Sequence, residues 1–146
     1  MNVLFLMQTY IPIDQADAMY NSLAEQFVED GHTVTVVASN EGEGPTTLQK
    51  EGSADVLRVK TLPLMRVHPY LKGIANLLLG LQYRFAIQKY LPKIQFDLIV
   101  TPTPPITLTY LAESLKKKYG AKTYLILRDI FPQNAVDIGL MSKRNL

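Results

Sequence analysis

The sequence contains no cysteine and only two histidines, His32 and His68. Without cysteine there are no disulfides, no thiolate metal ligands and no cysteine nucleophile. Two histidines far apart in the sequence do not supply the ligands of a closed metal site. We therefore expect no metal and no cofactor, and a reduced compartment, the cytoplasm, is the default location.

Charge of either sign is also scarce. Charged residues make up 19% of the chain and the net charge is +2. A dedicated nucleic-acid binder carries a dense basic surface, so nucleic acid is not an expected partner. With 146 residues, of which 47% are hydrophobic, the chain is long enough for one domain with a buried core.

Long apolar runs are missing as well. The most apolar segment, residues 73–83, contains Asn76 and Gln82 and is bounded by Lys72 and Arg84. Its length is well short of the roughly 20 residues that a membrane-spanning helix needs. The first two residues lead directly into the apolar run 3–7, which lacks the features of a secretory signal. We expect no transmembrane helix.

Glycine is absent between Met1 and Asp30. The first strand-to-helix turn therefore has no Gly-x-Gly-x-x-Gly fingerprint, and the chain has no phosphate-binding Gly-Lys-Ser/Thr loop. NAD and ATP are thus disfavoured as primary ligands, and a nucleotide-binding oxidoreductase ranks third among the functions considered. A signalling receiver is disfavoured because Gln8, Thr9 and Leu62 occupy positions that should be acidic.

The segments that are present alternate between two periodicities. Apolar or β-branched runs at 3–7, 33–38, 56–62, 96–101 and 122–127 predict strands, while helical spacing at 16–28, 70–91 and after Thr103 predicts helices. Thr103 is the predicted cap of the third helix, which ends before Gly120. Residues 39–55 are rich in Gly, Glu, Thr and Pro and predict a surface loop. The order predicts an α/β fold with a doubly wound parallel sheet.

Ligands of such sheets gather outside the carboxyl ends of the strands. We therefore expect the loops 8–17, 101–105 and 128–134 to share one rim. The candidate binding residues on these loops are Tyr10, Asp14, Asp17, Thr103, Pro104 and Arg128. Asp129 is the candidate catalytic residue, since its carboxylate could orient or deprotonate a hydroxyl. Each of these aspartates could instead cap a neighbouring helix.

The predicted helix 70–91 has two interpretations. Lys72, Arg84 and Lys89 flank a broad apolar surface, a pattern compatible with an anionic membrane surface. A helix in this position of a doubly wound fold must also cover the sheet, and its basic groups would then simply be solvated.

Three motifs carry a family resemblance. Thr101-Pro102-Thr103-Pro104-Pro105 is followed by a helix, a strand and Leu127-Arg128-Asp129-Ile130-Phe131-Pro132, and residues 31–37 read Gly-His-Thr-Val-Thr-Val-Val. Over nearly its whole length the chain resembles the amino-terminal domain of retaining GT-B glycosyltransferases of family four, especially those that build bacterial surface polysaccharides. Asp129 is one of the residues of this chain that match the motifs of that family.

The chain departs from that family at two places. Ala16, Asp17 and Ala18 stand where a Gly-Gly pair is common, and Gln133 stands where close relatives often have Glu. The family's Glu-x₇-Glu donor motif belongs to its carboxyl-terminal domain. Glu43 and Glu51 have that spacing, but they precede the third predicted strand and do not match the motif's position.

The resemblance implies that residues 1–146 form a single acceptor-side Rossmann-like domain, incomplete at its end, without the donor-binding carboxyl-terminal domain. It implies a glycosyltransferase that moves a hexose-type sugar from a nucleotide-sugar substrate to a saccharide or polyprenyl-linked acceptor, at the inner face of the cell membrane. This part alone should be inactive. The alternative is a non-catalytic α/β module that docks on a membrane or a partner through the helix 70–91.

Overall fold

A computed structural model of the chain describes residues 1–11, 19–40, 44–64, 67–128 and 133–139. In chain order the elements are β1 (Asn2–Leu6), α1 (Met19–Glu29), β2 (Thr33–Ser39), β3 (Thr47–Glu51), β4 (Ala54–Val59), α2 (Pro69–Tyr90), β5 (Leu98–Thr103), α3 (Thr107–Tyr119), β6 (Lys122–Leu127) and α4 (Gln133–Asp137). The strands form one sheet in the order β3-β4-β2-β1-β5-β6. Every neighbouring pair is parallel except β3 and β4. The predicted α/β fold is confirmed.

Helices cover both faces of the sheet. Along β1, Leu4 and Leu6 belong to the buried cluster that includes α2 and α3, whereas Val3 and Phe5 belong to the cluster that includes α1. Successive side chains of a strand point to opposite faces, so a strand covered on both faces must be apolar throughout. This explains why residues 3–7 form a continuous apolar run instead of an alternating one.

The strand order reverses beside β1. From β1 the chain winds outward through β2 to β4 on one side, and α2 then leads it back to β5 on the other side of β1. Gly80 of α2 lies close to Thr107 and Leu111 of α3, where a Cβ atom would be 3.5 Å from the Thr107 carbonyl oxygen. The face of the sheet opposite α1 is therefore covered by α2 and α3, which lie in close contact.

The predicted helix ends are confirmed where glycine forms them. Gly31 follows α1 with φ 80°, and Gly120 caps α3 with φ 69°, both in the left-handed region that favours glycine. Lys116, Lys117 and Lys118 occupy the last turn of α3. Within the described ranges, no helix combines the length and apolar character that a membrane crossing requires.

The prediction of a surface loop at residues 39–55 is wrong for its second half. Thr47–Glu51 forms β3, which pairs antiparallel with β4 at the edge of the sheet. The hairpin turns through Gly52 and Ser53, with Gly52 at φ 59°. Most of β3 is solvent-exposed, so its sequence lacks the apolar period of a buried strand. The Gly52-Ser53 pair was the feature of the sequence that could have predicted this hairpin.

A buried ion pair within this hairpin also contacts the segment that follows β1. Arg58 of β4 donates hydrogen bonds from Nε and Nη2 to the two carboxylate oxygens of Glu51, at 2.8 and 2.5 Å. Arg58 also donates a hydrogen bond to the Tyr10 carbonyl oxygen, and its guanidinium lies 5.7 Å from the centre of the Tyr10 ring. The side chains of Arg58 and Glu51 are only 11% and 10% exposed. Removing either one would therefore leave the other as a buried charge without a counter-ion, which is strongly destabilising.

Changing Glu51 to Gln should lower the free energy of unfolding by about 2 kcal/mol at neutral pH, because Arg58 loses its counter-charge while staying buried. Burial tends to raise the pKa of the Glu51 carboxyl, but hydrogen bonds from Arg58 and Gln49 outweigh it and the pKa lies below the usual 4.5. Because the folded-state pKa is depressed, this stabilisation is complete above pH 4.5 and is lost as the pH falls through the lower folded-state pKa. Urea unfolding of both proteins across this pH range measures the difference.

The matched control is Asp55→Asn in the same hairpin. Asp55 pairs with Lys50 at 3.4 Å, and the two side chains are 41% and 69% exposed. An exposed pair contributes little, so we expect a loss below about 0.5 kcal/mol. Equal losses for the two variants would contradict the importance of the Glu51–Arg58 pair.

Candidate ligand-binding cleft

A cleft opens between β1 and β5, outside their carboxyl ends. Its volume is about 260 Å³. The lining comes from the residues after β1, from the end of β5, from the first turn of α1 and from the residue after β6: Met7, Gln8, Thr9, Tyr20, Pro102, Thr103, Pro104 and Arg128. The strand order reverses between β1 and β5, so their following segments diverge. Ligands of open α/β sheets bind at this position.

The floor of the cleft is held by hydrogen bonds from three elements. The Met7 N–H donates to the Val37 carbonyl at 3.0 Å. The Tyr83 hydroxyl of α2 donates to the Met7 carbonyl at 2.7 Å, and the Thr101 hydroxyl of β5 donates to the Leu6 carbonyl at 3.1 Å. The backbone that carries Met7 into the cleft is thus fixed by β2, α2 and β5.

Thr103 does not cap the third helix, so this prediction is wrong. It is the last residue of β5, in register with Leu127 of β6, and α3 begins only at Thr107. The strand was predicted to end at Thr101. Pairing with β6 extends it to Thr103. The peptide bonds before Pro104 and Pro105 are both cis.

Two buried hydroxyl groups of the lining have no hydrogen-bond partner among the described residues. They are Oγ1 of Thr103 and the phenolic oxygen of Tyr20. A buried hydroxyl without a partner costs about 1–3 kcal/mol, and native proteins rarely leave one unexplained. Both oxygens belong to residues that line the same cleft, which is what a site that hydrogen-bonds a ligand requires.

Arg128 supplies a positive charge at the edge of the cleft. Its guanidinium carbon lies 5.9 Å from the centre of the Tyr20 ring, and its side chain is exposed. Within the described part of the chain no carboxylate forms a salt bridge with it. A guanidinium in this state can bind an anionic group with two hydrogen bonds.

The structure brings together part of the predicted rim. Gln8 and Thr9 from the first loop, Thr103 and Pro104 from the second, and Arg128 from the third all line the cleft. Their common location is as predicted. The binding roles assigned to Thr103, Pro104 and Arg128 stay predictions.

Tyr10 lies elsewhere. Its side chain is buried in the cluster beneath α1, beside Arg58, and does not line the cleft. Burial is the main cause that raises the pKa of its phenol, followed by the nearby Glu51 and Glu25 carboxylates. Asp14, Asp17 and Asp129 lie outside the described residues. The roles predicted for these four residues are untested.

Among the polar lining residues, Tyr20 is the one that lies outside all three predicted rim loops, so sequence reasoning missed it as a site residue. Its place in the apolar period of the first helix predicted a core position, and its ring does pack against the core. A hydroxyl on the first turn of a helix that follows a parallel strand lies at the carboxyl rim, which is the signal that could have identified it.

The described lining is rich in hydrogen-bonding groups, and the Tyr20 phenol is its one side chain of a type that serves in general acid–base catalysis. It offers hydroxyls, the Gln8 amide and the Arg128 guanidinium, and none of its described side chains is a carboxylate, histidine or lysine. Several hydrogen-bonding groups beside one cation suit a ligand with multiple hydroxyls and a negative charge, such as a sugar phosphate.

Comparison with known proteins gives information on the fold alone. No protein-family model and no curated protein matches the chain. One solved structure is similar: the carboxyl-terminal domain of a hydrogenase from Pyrococcus furiosus, with a TM-score of 0.57 and 18% sequence identity. The match covers 86% of this chain and 90% of that one. At such low identity it supports the α/β fold and transfers no activity.

Changing Thr103 to Val should leave the stability unchanged or raise it by up to about 1 kcal/mol, since the substitution removes a buried hydroxyl that has no partner among the described residues. The matched control is Thr101→Val, two residues earlier on the same strand. It removes the hydrogen bond to the Leu6 carbonyl and should cost about 1 kcal/mol.

Urea unfolding of the three proteins measures both changes. Valine and threonine have nearly the same shape and both favour strands, so propensity does not explain a difference. If Thr103→Val destabilises the protein as much as Thr101→Val, then Thr103 Oγ1 has an intramolecular partner and is not reserved for a ligand.

Proposed function

We propose that the cleft binds the acceptor of a glycosyl transfer reaction, and that the chain is the acceptor-side part of a glycosyltransferase. The observation that supports this proposal is the pair of buried hydroxyls of Thr103 and Tyr20, which have no hydrogen-bond partner among the described residues, beside the guanidinium of Arg128. A polyhydroxylated acceptor carrying a phosphate offers complementary groups to all three. The Thr-Pro-Thr-Pro-Pro and Leu-Arg-Asp-Ile-Phe-Pro segments support the same assignment by resemblance.

In this proposal the cleft positions the nucleophile. The acceptor hydroxyl oxygen forms a bond to the anomeric carbon of the donor sugar as the bond from that carbon to the nucleotide phosphate breaks. The nucleoside diphosphate leaves with the electron pair. The acceptor proton passes either to the Asp129 carboxylate or to the leaving phosphate, with Asp129 then orienting the acceptor. A second domain, opposite the carboxyl rim, holds most of the nucleotide-sugar donor.

The rival function is a non-catalytic module that uses the same fold only to dock on a membrane or a partner. Such a module has no need for unpartnered hydroxyls in a cleft at the strand-order reversal. Ligand binding in the cleft therefore discriminates between the two functions. The Thr103 and Tyr20 hydroxyls, which have no hydrogen-bond partner among the described residues, and the exposed Arg128 guanidinium give acceptor binding the stronger support.

Arg128→Gln should weaken binding of a water-soluble, short-chain prenyl diphosphate sugar by at least about tenfold, because the amide replaces a charge-assisted pair of hydrogen bonds to phosphate. Calorimetric titration measures the affinity, and amide shifts of Gln8, Thr9 and Thr103 in NMR spectra report the location. Lys122→Gln is the charge-matched control, since Lys122 is exposed at the start of β6, away from the lining. Unchanged affinity in Arg128→Gln, or shifts away from these amides, would contradict acceptor binding in the cleft.

Asp129→Ala should reduce sugar transfer at least about tenfold in an enzyme that joins this chain to a donor-binding domain, since the carboxylate either accepts the proton or orients the acceptor. Turnover with a panel of radiolabelled nucleotide sugars measures the effect. Asp137→Ala is the control, because Asp137 of α4 is exposed and accepts a hydrogen bond from Gln133 on its own helix. Equal turnover in both variants removes Asp129 from the site. Absence of transfer with every donor supports the non-catalytic module.

A further inference from the structure

The helix α2 is apolar on two opposite faces. Ala75, Leu79 and Tyr83 face the sheet and are buried. The opposite face carries a second set of large apolar side chains that are exposed: Tyr70, Leu71, Ile74, Leu77, Leu78, Leu81 and Phe85. At 100° per residue these seven positions fall within an arc of about 120°. Leu77 and Phe85 are 71% and 67% exposed, so this face has no intramolecular partner among the described residues.

The exposed apolar set, here called the α2 outer face, runs along most of the helix. From Tyr70 to Phe85 its length is about 22 Å at 1.5 Å per residue. Ile106, the N-cap of α3, and Tyr110 of α3 are exposed as well, and each directly precedes a residue that lies beside Gly80 of α2. An apolar surface of this extent on a monomer marks an interaction site.

The charged residues of α2 itself have one sign. The helix contains Lys72, Arg84 and Lys89 and no acidic residue. Arg84 and Lys89 lie at the two borders of the apolar arc, and Lys72 and Lys93 are exposed near the two ends of the helix. Long basic side chains at such borders can reach phosphate headgroups while the apolar side chains between them enter the acyl boundary.

We propose that the α2 outer face docks the chain on an anionic lipid surface. A second copy fits less well, because pairing two such faces brings together the basic groups of both without an acidic partner. A protein partner would need acidic groups placed opposite Arg84 and Lys89 at the two borders, whereas an anionic lipid surface presents phosphate along the whole face. Docking is independent of the proposed glycosyl transfer, because none of the cleft-lining residues belongs to the α2 outer face.

Vesicle co-sedimentation of the chain tests the proposal. Binding should be strong to phosphatidylcholine vesicles containing about one third phosphatidylglycerol, weak to pure phosphatidylcholine, and reduced on raising the salt from about 0.05 to about 0.5 M. Leu77→Ser with Phe85→Ser should weaken binding to the anionic vesicles at least about tenfold, since both side chains would leave the acyl boundary. Arg84→Gln with Lys89→Gln should weaken it by about tenfold and leave binding to the neutral vesicles unchanged.

The matched control is Tyr124→Ser with Ile138→Ser, which removes two exposed apolar side chains away from α2. Its binding should equal that of the unmodified chain. All the substituted side chains are exposed, so each variant should fold, and circular dichroism with an unfolding midpoint confirms this. No binding to the anionic vesicles, or an equal loss in the control, overturns the proposal. A concentration-dependent dimer that the Leu77/Phe85 variant abolishes, without vesicle binding, identifies a second copy as the occupant instead.

Discussion

Parallel pairing on both sides of β1 determines where every other element lies. Val3, Leu4 and Phe5 pair with β2 on one side and with β5 on the other, and their side chains are fully buried. Covering such a strand requires helices on both faces of the sheet. Because the chain leaves β1 toward β2 and returns to β5, the segments after β1 and β5 separate, and the cleft follows from that separation.

Hydrogen bonding divides the residues around the cleft into a frame and a lining. In the frame, the hydroxyl groups form hydrogen bonds within the protein: Thr101 donates to the Leu6 carbonyl and Tyr83 donates to the Met7 carbonyl. Two residues beyond Thr101, the Thr103 hydroxyl has no partner within the described part of the chain. A rigid frame that presents unsatisfied groups is the arrangement expected of a preorganised binding site, because the ligand then need not displace an internal bond.

Burial explains how much of this could be predicted from the sequence. Four strands that are mostly buried, β1, β2, β4 and β5, appear in the sequence as apolar runs. The edge strand β6 is largely exposed, but its apolar and β-branched residues still predict a strand. The order of these five strands predicts the rim on which Gln8, Thr103 and Arg128 meet. The strand β3 is exposed and carries no such pattern. Thr103 was assigned to a helix cap because the strand pairing that keeps it extended involves Leu127, a contact that sequence spacing does not encode. Nor does sequence spacing encode whether the Tyr20 hydroxyl has a hydrogen-bond partner, and among the described residues it has none.

The two interpretations of the helix 70–91 are compatible with each other. Packing on the sheet accounts for Leu79 and Tyr83, and leaves Leu77 and Phe85 exposed on the opposite side of α2. Tyr83 hydrogen-bonds the Met7 carbonyl at the floor of the cleft, so one helix separates the cleft floor from the α2 outer face. A helix is about 10 Å in diameter. Under both proposals the floor of the cleft at Met7 would therefore lie about one helix diameter from a lipid surface, with Tyr20 and Arg128 on the side of the cleft that faces α1.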